Sequence, residues 1–328
     1  MDHNQTNKKI IIMNTIKQKS NRTFGVEVEF HGSNLTTVAS KLSETGILVV
    51  AEGYNHTTRG HWKVVPDGSC SFELVSPILK GQDGMNQTVT LLDALSNIRG
   101  VRVDKQCGVH VHVGVPDATG KKVANLVKYF GVNEHIIDMV LSPSRRDSKN
   151  TYCKSVFEGV QSRNTGRYTD NGMDVLETSK TKLFNECNKI VKRDELNGYG
   201  VASTISDLCS LIGRNNGCDR YSKLNLASYR KYRTIEYRCF NGSLDSQKIG
   251  HWINFCCATV DKTFGMKQVK NRVMDDSRLA FAQVFGKQVG RKTLKFMGER
   301  AENFGLLSNA EDMWINWLQR KRWTKSKP

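Results

Sequence analysis

Two stretches most constrain what this chain can fold into: TFGVEVEF at 23–30 and CGVHVHVGV at 107–115. Both alternate between apolar and polar side chains. Successive side chains on a strand point to opposite faces, so this period of two predicts strands with one face in a core. Glu27 and Glu29 then share a face, and so do His110 and His112. TIEYRCF at 234–240 sets Glu236 and Arg238 the same way, and SFELV at 71–75, after the turn signal PDGS, adds Glu73. The intervening Val26, Val28, Val111, Val113, Ile235 and Tyr237 are apolar. The chain must therefore build a sheet with one greasy face and one chemically loaded face.

A merely solvated face would carry Lys, Thr and Ser freely. This one carries Glu, His and Arg in a lysine-rich protein, which favours a single site. Residues two apart on a strand are separated by about 6.5–7 Å. That is wide for two short ligands on one small cation held at roughly 2.0–2.1 Å. It fits better with each carboxylate serving its own cation, in a cluster whose metals sit about 3.5–4 Å apart. Carboxylates crowded without counter-charge raise one another's pKa, and divalent cations remove that conflict. The oxygen-rich set favours Mg²⁺ or Mn²⁺, with histidine tilting toward Mn²⁺.

Around these strands the pattern predicts helices at 34–44, 83–98, 119–141, 245–264, 275–285, 291–303 and 310–320, and a short strand in ILVV at 47–50. Residues 160–200 are polar with little periodicity and read as a long loop or a partly helical insertion. Mixed strands early and helices late point to an α+β fold rather than a doubly wound sheet. The expected organisation is a basic tail at 1–22, a catalytic domain at 23–265, a helical region at 266–319 packed on it, and a basic tail at 320–328.

GVEVEF, DGSCSFELVSPIL, CGVHVHVG, RYSKLNL and TIEYRCFNGSLD occur in that order, with SRRDSKNTYC at 144–153 a looser match. Together, from about residue 24 to about residue 260, they resemble the amidoligase family of carboxylate–amine ligases. The resemblance implies a glutamine-synthetase-like fold: a curved, mostly antiparallel sheet with helices on its convex side. Its concave face would hold ATP and two or three Mg²⁺ or Mn²⁺ ions. Residue by residue, it makes Glu27, His110 and Glu236 ligands of the metal on the ATP phosphates, and Glu29 and Glu73 ligands of the metal on the substrate side. It makes His112 a substrate contact and Arg238 the arginine that meets transferred phosphate. Glutamine synthetases place an arginine two residues before that glutamate. Here Thr234 stands there, with Arg233 one step off as the candidate phosphate contact. The implied chemistry is ATP-dependent amide formation through an acyl phosphate, joining small-molecule or peptide carboxylates and amines.

Other residues keep two readings. Lys223 and Asn225 in RYSKLNL are spaced to share a strand face, and could contact nucleotide or be structural. Asp67 and Ser69 cap a turn or reach into the site. Arg145 and Arg146 bind phosphate or are solvated. Trp314, Trp317 and Leu318 read as packing. Cys107 reads as a small strand residue rather than a nucleophile.

The net charge is +17, of which residues 1–22 contribute +4 and residues 320–328 contribute +5. Such tails associate loosely with polyanions. A basic nucleic-acid-binding protein is therefore one alternative, although no binding motif supports it. A His-x-His metal-dependent hydrolase is another, but the other six histidines, at 3, 31, 56, 61, 135 and 251, sit in no metal-like pattern. Nine irregularly spaced cysteines, no leader and no stretch of eighteen apolar residues lead to the expectation of a reduced, cytoplasmic protein with no membrane association.

Overall fold

The computed structural model describes residues 16–32, 34–160, 172–213, 217–271, 277–286 and 289–307. Most of the N-terminal tail, residues 161–171 of the polar stretch, the helix expected at 310–320 and the C-terminal tail lie outside the described residues.

The described residues form a mixed α/β structure around one eight-stranded, mostly antiparallel sheet. Its strands are β1 (Thr23–Phe30), β2 (Val49–Ala51), β3 (Trp62–Pro66), β4 (Phe72–Val75), β5 (Leu79–Lys80), β6 (Gly108–Gly114), β7 (Leu224–Asn225) and β8 (Thr234–Asn241). Their order is β2-β3-β4-β1-β6-β8-β7, with β5 also pairing β1. The one parallel pair is β2 with β3.

Helices are α1 (Leu35–Ser43), α2 (Gly81–Ser96), α3 (Gly120–Asp138), α4 (Gly172–Asn197), α5 (Val201–Ile212), α6 (Ser228–Tyr232), α7 (Ser246–Phe264), α8 (Ser277–Phe285) and α9 (Arg291–Asn303). Three of their starts are chemically marked. Asn34 caps α1 by accepting from the amides of Thr36 and Thr37, Thr119 caps α3, and Asp245 caps α7. Each satisfies amides that have no partner within their own helix.

The apolar face of the sheet is the core. Phe24, Val26 and Val28 pair in register with Val113, Val111 and Val109, and all six are buried. Helices α3 and α7 cover them. Phe130 of α3 lies 6.1 Å from the Tyr237 ring, and Trp252 of α7 stacks on Phe240 at 4.8 Å. Tyr237 and Phe240 are three apart in β8 yet both reach this core, which strict alternation forbids. A bulge explains it: Val109 pairs with Phe240 and Val111 with Tyr237, so Arg238 and Cys239 together oppose His110.

Of the two readings of the polar stretch at 160–200, the helical one holds: much of it is α4, which lies against α3 and α5. Its buried side chains Lys180, Leu183, Phe184, Cys187 and Asp194 do follow a helical spacing, but two of them are charged, so the stripe reads as polar. The expectation of reduced cysteines needs correcting: Cys209 and Cys218 form a disulfide, while the seven others are free and buried. Among the described residues no helix is long and apolar enough to cross a membrane.

Candidate active site

Cross-strand register assembles the opposite face of the sheet. Glu27 pairs with His110 and with Val75, and Val75 in turn with Lys63. Glu29 pairs with Glu73, while Gly25 pairs with His112, which pairs with Glu236, which pairs with Asn225. Paired residues share a face. Five strands thus bring Glu27, Glu29, Glu73, His110, His112, Glu236 and Asn225 to one place, from positions spread over 210 residues of chain.

The side chains converge. His110 Nδ1 lies 3.3 Å from Glu27 and 3.9 Å from Glu236, and its Nε2 lies 3.6 Å from Glu29. His112 Nε2 lies 3.4 Å from Glu27 and 3.8 Å from Glu236. That nitrogen is buried without a hydrogen-bond partner, while Nδ1 faces Thr234 Oγ1 at 3.0 Å. Two sets of donor atoms lie within 4.8 Å of one another: Glu27 with His112 and Glu236, and Glu27 with Glu73 and His110. Glu27 belongs to both. The resemblance grouped His110, not His112, with Glu27 and Glu236. The geometry brings both imidazoles to Glu27.

The electrostatics bear on which ions the cluster could hold. Burial pushes the Glu73 carboxyl well above the ordinary range, and the charges of Glu27, Glu29 and Asp67 push it further. Burial also opposes ionisation of Glu27, but His112 and His110 outweigh it and hold that carboxyl well below its usual value. Burial lowers and the Glu236 and Glu27 charges raise the His112 pKa, with a net rise. Carboxylates that must borrow protons and imidazolium charge would be relieved by divalent cations, so the donor set fits Mg²⁺ or Mn²⁺. Glu27, Glu73, Glu236, His110 and His112 could hold such ions, with Glu29 beside them.

Several side chains hold the donors in place. Glu29 Oε2 accepts the backbone N–H of Gly108 at 2.6 Å. A Cβ at Gly108 would stand 3.0 Å from His110 Nε2 and 3.4 Å from Glu29 Oε2, so a glycine here lets the strand approach the cluster. Arg238 donates to Glu236 Oε1, and Asn225 donates to Glu236 Oε2 at 2.6 Å. Lys63, on the same face in β3, is buried with its ammonium bonded to Asn55 and the Thr57 carbonyl. Sequence reasoning missed Gly108 and Lys63, and singled out Thr234 as a replaced arginine, not as the partner of His112. For Lys63 a signal existed in the alternation of HWKVV.

Other expected contacts lie elsewhere. Lys223 does not join the cluster. β7 spans only two residues, so no strand pleat relates 223 to 225. The Lys223 ammonium is fully buried against Glu134 at 2.7 Å and Asp138 at 2.6 Å, on α3. Arg233 caps α6 in the left-handed region at φ 55°, is exposed, and lays its guanidinium 4.9 Å over the Tyr229 ring. Arg145 is buried and bonded to the carbonyls of Gln106 and Cys107, and Arg146 to that of Leu141. Asp67 caps its turn, accepting from the amides of Ser69 and Cys70.

A family model described as "Putative amidoligase enzyme" matches residues 20–260, the span that holds every residue of the cluster. No curated protein matches the chain.

Proposed function

The chain belongs to the amidoligase family, and from that premise we propose that it is an ATP-dependent carboxylate–amine ligase. We read its sheet as the concave platform of a glutamine-synthetase-like fold, with the loaded face as the nucleotide and substrate side. The observation that carries this reading is the convergence of Glu27, Glu73, Glu236, His110 and His112 on one sheet face.

Phosphoryl transfer asks a protein for positioning and charge neutralisation more than for a nucleophile. A substrate carboxylate oxygen attacks the γ-phosphorus and ADP leaves, giving an acyl phosphate. An amine nitrogen then attacks the acyl carbon, inorganic phosphate leaves, and the nitrogen gives up a proton to form the amide. Two or three Mg²⁺ or Mn²⁺ ions would neutralise the triphosphate. Glu27, Glu73, Glu236, His110 and His112 would hold them, with Glu29 beside them. Arg238 is half of a pair with Glu236 and can turn its guanidinium to the transferred phosphoryl group. Asn225 and Gly108 fix Glu236 and Glu29. His112 offers Nε2 to the Glu27 and Glu236 side of the cluster while Thr234 holds its Nδ1, so in this reading it is a metal ligand in place of the substrate contact that the resemblance implies.

The test is nucleotide turnover against pooled carboxylates and amines with Mg²⁺ or Mn²⁺. ADP and phosphate should appear only when both acceptor classes are present, with a product lighter than its two substrates by one water. ATP hydrolysis indifferent to acids and amines, or no nucleotide binding at all, overturns the reading.

A further inference from the structure

Beyond Glu29 along β1 the donor chemistry changes. His31, Cys70 and Cys107 each offer a ligand atom within 4.8 Å of the others. His31 follows β1, Cys70 sits in the turn before β4, and Cys107 immediately precedes β6. The two sulfurs are 3.2 Å apart. Asp104 closes the group, with Oδ2 3.2 Å from His31 Nε2 and Oδ1 3.7 Å from Cys107 Sγ. The same Asp104 accepts the amide of Gln106 at 2.8 Å, which fixes the loop that presents Cys107. His31 Nε2 is buried with the Asp104 carboxylate beside it, while its Nδ1 faces Ser71 Oγ at 3.3 Å. An ion that displaces the proton between Nε2 and Asp104 would leave the remaining ring proton on Nδ1 for Ser71 Oγ to accept, the arrangement in which an outer partner orients a ligating histidine.

We propose that His31, Cys70, Cys107 and Asp104 form a second metal site, for a borderline-soft divalent cation such as Zn²⁺. Two sulfurs, one imidazole nitrogen and one carboxylate make a four-donor set of the kind zinc takes in tetrahedral sites. Mg²⁺ and Mn²⁺ prefer the oxygen-rich cluster on the other side of Glu29, so donor hardness sorts the two kinds of ion. Uptake breaks both S–H bonds, forms two metal–sulfur bonds and releases two protons to solvent. Asp104 is exposed and gives the ion an entry path. The bound ion ties together the end of β1, the β3–β4 turn and the approach to β6. These three segments carry Glu29, Glu73 and Gly108, so the site acts as a clamp on the geometry of the carboxylate cluster.

The experiment uses the full chain, reduced and stripped of metal, titrated with Co²⁺ in excess Mg²⁺ and then challenged with Zn²⁺. One equivalent of Co²⁺ should produce thiolate-to-cobalt charge-transfer absorption, and Zn²⁺ should abolish it. The absorption should vanish in Cys70→Ser/Cys107→Ser and persist in Glu27→Gln. His31→Gln should weaken Zn²⁺ binding by at least about tenfold. If the double variant does not fold, His31→Gln and the wild-type titration carry the test. No charge-transfer band in the fully reduced wild type, a band that survives loss of both cysteines, or His31→Gln binding Zn²⁺ like wild type each overturns the proposal. Because the readout involves no nucleotide, it stands or falls separately from ligase activity.

Discussion

Asn225 donates from Nδ2 to Glu236 Oε2 over 2.6 Å, across a register pair of β7 and β8. Both residues are buried, and the bond leaves Glu236 Oε1 to Arg238. Asn225 therefore orients a carboxylate that the ligase reading gives to a metal ion. Asn225→Ala should lower Mn²⁺ affinity and turnover by roughly 10–100-fold. Asn225→Asp should cost more, because it sets a like charge against Glu236. Titration calorimetry with Mn²⁺, alongside ADP release, measures both.

Glu73 offers a trade between stability and function. Its folded-state pKa is raised, so without metal the folded protein keeps a proton that the unfolded chain releases above its ordinary carboxylate pKa. Stability then drains as pH rises through that window. Glu73→Gln removes the titration. In the absence of divalent ions it should melt higher than wild type at pH 8 and gain less at pH 5. With saturating Mn²⁺ the gain should disappear, and turnover should fall. Thermal melts at the two pH values, with and without Mn²⁺, read the outcome.

Lys223 separates a structural lysine from a nucleotide ligand. Its ammonium faces Glu134 and Asp138, and burial pushes the Asp138 carboxyl up to about 7 even against the pull of Lys223. Lys223→Met strands two carboxylates in the interior and should destabilise the protein by about 3–5 kcal/mol. Adding Glu134→Gln and Asp138→Asn should recover much of that loss. Any variant that folds should bind ATP with unchanged affinity. A variant of wild-type stability that has lost ATP binding would reverse this assignment.

His251 gives α9 an acid-sensitive attachment. Its ring stacks on Phe296 at 4.5 Å and its Nδ1 meets Thr293 Oγ1 at 2.9 Å, both on α9. Burial lowers its pKa from 6.5 to about 4, with Asp245 and Lys292 as opposed minor influences. Below pH 6.5 the unfolded chain takes up a proton that the folded form refuses until about pH 4. The contribution is complete above pH 6.5 and is lost progressively toward pH 4, amounting to on the order of 3 kcal/mol. His251→Phe should flatten that part of the stability profile. Urea melts of wild type and variant between pH 4 and 7.5 provide the comparison.

Alternation made much of the site legible. Glu27, Glu29, His110 and His112 sit where period two puts them, and β6 joins β1 in the register that meets their faces. The bulge opposite His110 was not legible, since nothing in TIEYRCF announces that Arg238 and Cys239 share one partner. Lys223 shows a second limit. Spacing of two relates side chains only along a real strand, and a buried ammonium is drawn to whatever carboxylates the tertiary fold offers, here on α3. In α4 the helical stripe was present, but Lys180 and Asp194 within it masked the period.

The placement of β8 between β6 and β7 has a consequence for the growing chain. Until Thr234–Asn241 leaves the ribosome, the far edge of β6 has no partner, and its valine-rich strand offers open backbone amides and carbonyls to any neighbour. Glu236 arrives on that same late segment. A nascent or prematurely ended chain is thus sticky and inert together, and the act of capping the edge is also the act that completes the site.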